Sequence, residues 1–322
     1  MKNIFLAATF AALSLTGAGV VRADKPTKLK PAAVAHSLIA EDRGHVVILD
    51  ATGKVTWETA CGFTSHDIGV LPNGNFLLHT GPATIVEMTP DKRIVWQHTS
   101  HPVAPYAGPV EIHAFQRLRN GVTMISETGN LRIIEVDKDD KIIHETPLTV
   151  DHPNSHRDTR RVRKLDDGHY LVCHEGDGKI REYDPTGKVV WTYTMDLVGQ
   201  PETPGHDGHG INVFNALRLK NGDTLIAGGN NNRVFEVTPE GKTVWSIERD
   251  ELPGIHLCWV TSLQVLPNGD IIFGNTHAGP NNPQLIEVTR DKKVVWTLKN
   301  WDTLGNDLCA SQVLDVKGKI LR

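Results

Sequence analysis

The sequence predicts an all-β fold, a six-bladed β-propeller built from four-stranded antiparallel blades. Three observations point to it. A phrase seen most clearly as Val237-Thr238-Pro239-Glu240-Gly241-Lys242-Thr243-Val244-Trp245 recurs with variations that end at Trp57, Trp96, His144, Trp191 and Trp296. Turn glycines at Gly74, Gly121, Gly168, Gly222, Gly269 and Gly318 lie 47, 47, 54, 47 and 49 residues apart, a blade period rather than that of a helical solenoid. No window shows sustained helical periodicity, and apolar runs alternate with tight-turn residues as they do in hairpins.

Each unit reads as an apolar run, a turn of the Asn-Gly kind, a second run, a variable loop, a third run, a turn such as Pro185-Thr186-Gly187, and a fourth run ending in Trp. The two ends of the repeat array are complementary. Leu38-Ile39-Ala40 aligns with Leu225-Ile226-Ala227, a second strand, whereas Ser311-Gln312-Val313-Leu314-Asp315-Val316 aligns with a first strand. The two ends are therefore expected to complete one blade and close the ring, which removes exposed sheet edges. The recurring Trp and the preceding Glu87, Glu135, Glu182, Glu236 and Glu287 are expected to pack and pair between blades, with His144 a tolerated variation.

Residues 1–23 read as a secretory signal peptide. Met1-Lys2-Asn3 is a positive start, Ile4 to Val21 is apolar or small, and Val21-Arg22-Ala23 resembles a cleavage site. Residues 24–322 are then a single propeller domain, exported to the periplasm or secreted, with no stable membrane insertion once the signal is removed. A net charge of -4 shows no basic excess, which argues against nucleic acid and anionic membranes and leaves a small molecule or a protein as partner. Cys61, Cys173, Cys258 and Cys309 permit disulfides but lack the CxxC spacing of a zinc-thiolate site.

In a meander blade, the loops entering the inner strand and those joining the second and third strands share one face, opposite the Asn-Gly turns. Much of the chain's stock of 16 histidines falls there. Counting back eight residues from the turn glycine reaches His66, His113 and Arg160, with His156, His209 and His256 a few residues upstream in their own units. The second-to-third strand loops add His79, Glu127, His174, Glu175, Asn275 and His277. Converging imidazoles suit a divalent metal bound by His66, His113, His156, His209 and His256, or acid-base catalysis by His66, His113 and His209.

The run His156-Arg157-Asp158-Thr159-Arg160-Arg161-Val162-Arg163 is unusually charged for an inner strand. Arg157 and Arg160 are candidate anion ligands through forked hydrogen bonds, whereas Arg163 is expected to pair with a neighbouring blade's carboxylate. Asn212 and Asn215 could add neutral polar contacts. The insertion Gly199 to Gly208 explains the 54-residue spacing and is expected to form a rim on the same face.

Leu49-Asp50-Ala51-Thr52-Gly53-Lys54-Val55-Thr56-Trp57 and Tyr183-Asp184-Pro185-Thr186-Gly187-Lys188-Val189-Val190-Trp191 resemble the tryptophan-docking blades of the pyrroloquinoline-quinone-like propeller superfamily. The resemblance implies blade architecture. Quinoprotein dehydrogenases of that superfamily have eight blades and adjacent cysteines at the cofactor, and this chain has neither, so pyrroloquinoline quinone is not expected. Ser65-His66-Asp67-Ile68-Gly69-Val70-Leu71-Pro72-Asn73-Gly74-Asn75-Phe76-Leu77-Leu78 also resembles the blade motif of bacterial arylsulfotransferases. That likeness implies a histidine nucleophile accepting a sulfuryl group beside arginine, although the chain is shorter than those enzymes and lacks their N-terminal domain.

Three function classes follow. The first is a propeller holding a small anionic or sugar-like ligand at a mouth formed by His66, His113, His156, Arg157, Arg160, His174, Asn212, His256 and Glu127. The second is an enzyme using the same mouth, by arylsulfotransferase-like transfer or as a metal-assisted lyase or hydrolase. The third is a protein-interaction scaffold.

Overall fold

The computed structural model describes residues 35–196, 204–205, 208–209, 212–228 and 232–322. The signal-peptide segment, most of the Gly199 to Gly208 insertion and Asn230-Asn231 lie outside the described residues.

Six antiparallel four-stranded sheets follow one another, as the repeat requires. Blade 2 runs Gly69–Val70, Phe76–Gly81, Thr84–Met88 and Ile94–Thr99; blade 3 runs Glu111–Arg117, Thr123–Thr128, Arg132–Val136 and Ile142–Pro147. Blade 4 runs Val162–Lys164, Tyr170–His174, Lys179–Tyr183 and Val189–Thr194; blade 5 runs Val213–Arg218, Thr224–Gly228, Arg233–Val237 and Thr243–Ile247. Blade 6 runs Trp259–Val265, Ile271–Thr276, Leu285–Val288 and Val294–Leu298. Blade 1 joins the two ends of the array: Ala310–Val313 is its inner strand, followed by Leu38–Asp42, His45–Leu49 and Val55–Ala60. Leu38 pairs with Val313 and Glu41 with Ala310, the closure read from the sequence.

Burial explains the sequence pattern of the strands. Second strands such as Tyr170–His174 are buried on both faces and read as near-continuous apolar runs, whereas outer strands such as Val55–Ala60 alternate toward solvent. Apolar side chains collect between blades, with one cluster for each successive pair around the ring. Leu217, Leu225 and Ile247 of blade 5 thus meet Leu263, Ile271 and Phe273 of blade 6. Burying one such Leu contributes roughly 2 kcal/mol relative to exposure.

The repeat's consensus residues form the polar joints between blades. Trp57 Nε1 donates to Pro90 O (2.8 Å), Trp191 Nε1 to Pro239 O (2.7 Å) and Trp245 Nε1 to Arg290 O (2.8 Å). His144 Nε2 reaches Pro185 O at 3.1 Å, so the imidazole takes over the indole's bond. Each recurring glutamate meets a basic side chain from the following blade. Glu87 pairs with Arg117 (3.0 Å), Glu182 with Arg218 (2.7 Å) and Glu287 with His36 (2.9 Å), while Glu135 meets Lys164 and Glu236 meets Arg290. Cys61, Cys173 and Cys309 are buried free thiols, and burial pushes the Cys61 thiol up to about 12. Among the described residues, no helix is long and apolar enough to cross a membrane.

Candidate ligand site on the propeller axis

The register eight residues before the turn glycine coincides with an irregularity in the inner strands. Pairing shifts between Ile112 and Ala114 in blade 3, between Val213 and Asn215 in blade 5, and between Val260 and Leu263 in blade 6. A bulge leaves its extra residue outside the alternation and re-aims the side chain. His113 and Phe214 occupy such positions. In blades 2 and 4 the paired strand starts later, so His66 lies three residues and Arg160 two residues before it.

These side chains meet across the axis. His66 and His113 ring centroids are 4.5 Å apart, and His66 lies 5.8 Å from Phe214 of blade 5. His156, from the loop before blade 4, stands 5.2 Å from His113 and 6.2 Å from His66. Arg160 is inserted among them. Its Nη2 is 3.0 Å from His156 Nε2, its Nη1 is 3.5 Å from His66 Nε2, and its Nε forms an ion pair with Glu175 at 2.5 Å. Nη1 also lies 3.0 Å from His113 Nδ1 and 3.4 Å from His113 Nε2, near-equal distances that place it over the ring rather than in its plane.

Hydrogen bonding fixes the tautomers. His113 Nδ1 faces the carbonyl of Thr159 at 2.8 Å and must donate to it, so the Nε2 lone pair of the neutral ring points at Glu111 Oε2, also 2.8 Å away. His156 accepts from Arg160 at Nε2 and therefore donates from Nδ1 to the same Glu111 oxygen at 2.7 Å. Burial, reinforced by the Arg160 charge, lowers the His113 pKa to about 4 and takes His66 well below the usual imidazole range. For Glu111 burial acts upward, but the contacts with His113 and His156 prevail and hold the carboxyl well below the usual carboxylate range. His66 Nδ1 is buried without a hydrogen-bond partner.

A second charged group lies beside this cluster. Asp67, fully buried, takes Arg161 Nη1 at 2.5 Å and Arg163 Nη1 and Nη2 at 2.7 and 3.0 Å. Arg322 adds a third guanidinium, bound through Nη1 to Ile68 O at 2.5 Å. Desolvation opposes ionisation of Asp67, but the charges of Arg161, Arg163 and Arg322 overcome it and its pKa falls. Burial lowers the Arg161 pKa to about 9, with Arg163 adding to the effect, and lowers that of Arg322 to about 10. Arg163 thus pairs with a carboxylate as expected, but that carboxylate belongs to blade 2 across the axis, not to a neighbouring blade.

The remaining candidates are placed as follows. His174 is held between Asp158 O and Tyr183 OH, both at 2.8 Å, and Glu127 pairs with Arg132 at 2.5 Å. His256 binds Asp250 at 2.6 Å, and among the described residues no ring contact joins it to His66, His113 or His156. Arg157 is half-buried, with no side-chain ion pair among the described residues. Asn212 is buried just before the inner strand of blade 5, and Asn215 is buried with neither amide atom hydrogen-bonded. The backbone of His209 pairs with Pro204, while its side chain lies outside the described residues.

Three participants were not read from the sequence. Glu111 precedes His113 by two residues, and Asp67 follows His66 directly. Phe214 stands eight residues before Gly222, so the count that found His66 and His113 would also have found it. With Trp259 and Cys309 it forms an apolar wall facing the imidazoles.

Several solved structures share this fold. A protein of unknown function from Bacteroides caccae is 21% identical at TM-score 0.73, covering 88% of this chain and 100% of that one. A streptogramin B lyase is 14% identical at TM-score 0.54, covering 84% and 85%. A catalytically inactive variant of virginiamycin B lyase from Staphylococcus aureus, solved with quinupristin, is 14% identical at TM-score 0.52, covering 83% and 84%. At these identities the likeness is one of fold. No curated protein matches the chain. The sequence profile described as outer membrane protein assembly factor BamB matches residues 42–298, from the second strand of blade 1 to the last of blade 6, and the chain belongs to this family of pyrroloquinoline-quinone-like propellers.

Proposed function

We propose that this protein is exported and binds a small anionic molecule, a carboxylate, sulfate, phosphate or acidic sugar, on the propeller axis beside His66 and Arg160. One observation carries the reading: the buried guanidiniums of Arg161 and Arg163 and that of the half-buried Arg322 gather around a single side-chain carboxylate, Asp67. Like charges crowded away from water are costly, and an anion relieves them. His66 connects this group to the mouth, since Arg161 Nη1 donates to its carbonyl at 3.3 Å while Arg160 reaches its ring. The wall of Phe214, Trp259 and Cys309 offers an apolar surface opposite the charged groups, the mixture typical of small-molecule sites. Export is read from residues 1–23.

The test is thermal unfolding and calorimetry at constant ionic strength in the presence of EDTA. Sulfate, phosphate, benzoate and glucuronate should raise the melting temperature above the level in chloride, neutral isosteres should not, and Arg161→Met should abolish the difference. Equal melting temperatures in all of these anions and chloride would sink the proposal.

A second reading, catalysis, has its own support. His113 and Glu111, 2.8 Å apart, are placed as a general acid or base pair would be, and two propellers of this fold are lyases by their titles. On this reading His113→Gln removes turnover while leaving anion-induced stabilisation in place.

A further inference from the structure

We infer that Glu111, His113 and His156 form a binding site for one divalent first-row transition-metal ion, of the Zn2+ class. Each offers a ligand atom, and these atoms lie within 4.8 Å of one another. Two come from the bulged start of the blade 3 inner strand and the third from the loop before blade 4, so the set is assembled by the fold and not by one exposed loop.

The hydrogen-bond pattern calls for a cation. With Nδ1 of His113 committed to the Thr159 carbonyl, its Nε2 lone pair and a lone pair of Glu111 Oε2 face each other across 2.8 Å. Two acceptors at that distance repel unless a proton or a metal ion lies between them. The Thr159 contact is also the kind of outer bond that orients a metal-binding imidazole and fixes which nitrogen is free. Arg160 has its own carboxylate in Glu175, which leaves the charge of Glu111 facing two imidazoles.

Two imidazoles and one carboxylate suit zinc and its neighbours, with a coordination position left over for water or an exogenous ligand. Binding through His156 Nδ1 moves that ring's proton to Nε2, where it faces Arg160 Nη2 at 3.0 Å. Loading therefore breaks the Arg160–His156 contact. The His156 side chain, 52% exposed, has room to turn, while Arg160 keeps its ion pair with Glu175. This inference is independent of the anion reading, whose assay runs in chelator.

The test titrates chelator-stripped protein with Zn2+ by calorimetry and with Co2+ by absorption spectroscopy. One ion per chain is expected, with visible Co2+ bands of four- or five-coordinate geometry. Glu111→Gln and His156→Ala should weaken binding by more than the roughly 10- to 100-fold that outer-shell changes cost. His256→Ala, outside the cluster, should keep the wild-type isotherm. Circular dichroism verifies folding, and if Glu111→Gln does not fold, His156→Ala on its exposed loop carries the comparison. Absence of stoichiometric binding, wild-type affinity in His156→Ala, or an equal loss in His256→Ala would overturn the site.

Discussion

Asp67 is the residue whose removal should cost most. It is the only side-chain carboxylate in contact with Arg161 and Arg163 among the described residues, and replacing it by Asn leaves buried guanidiniums uncompensated. Breaking a buried pair in this way costs about 3–5 kcal/mol, so Asp67→Asn should shift the urea midpoint sharply downward. Glu41 acts in the opposite direction. Burial pushes its carboxyl from 4.5 up to about 8, against the hydrogen bond from Ser65 N–H at 2.6 Å. The folded state therefore favours protonated Glu41, and stability present below pH 4.5 is lost as pH rises toward 8. His79 and His174 are lowered by burial from 6.5 to about 4, so their contribution is present above pH 6.5 and lost on acidification toward pH 4. Melting temperatures measured across pH should thus fall on both sides. Glu41→Gln should flatten the alkaline limb and leave the acid limb; a pH profile unchanged by that substitution would contradict the assignment.

Between elements, joints of one pattern recur and tolerate substitution at the donor. Trp191→Phe keeps the ring but loses the bond to Pro239 O, which should cost about 1 kcal/mol in denaturant unfolding. His144→Trp should be neutral or mildly stabilising, because the imidazole already occupies the indole's role against Pro185 O. A second joint links inner strands. Gln116 accepts from Lys164 N at 3.2 Å, Gln264 from Val313 N at 3.0 Å and Gln312 from Val70 N at 3.0 Å, each from one blade to the next. The Trp and Glu joints were legible in the sequence because they repeat: a residue that returns at the same place in blade after blade faces the same neighbour each time. The polar centre was legible only in part. His66, His113 and Arg160 stood out as departures at one register, but Asp67 meets Arg163 across 96 residues and no local pattern foretells that pair. Glu111 was missed for a related reason, since its other partner, His156, lies 45 residues further on in the loop before blade 4.

For the whole molecule, the ring closes through Ala310–Val313 pairing with Leu38–Asp42. A chain ending at Asn306 would uncover Leu38, Ile39 and Ala40, all fully buried now, as a bare strand edge. It should elute as aggregate on size-exclusion chromatography and be cut rapidly by protease; a monomer with unchanged melting temperature would refute the role given to closure. The same pairing also sets a timetable. As the chain is synthesised from its N-terminus, five blades have all their strands before blade 1 receives its inner one. Arg322, which reaches Ile68 O of blade 2 and accepts at its own backbone oxygen from Arg163, arrives later still. The electrostatic centre of the ring is therefore incomplete until Arg322 has been added, later than every strand of the six blades.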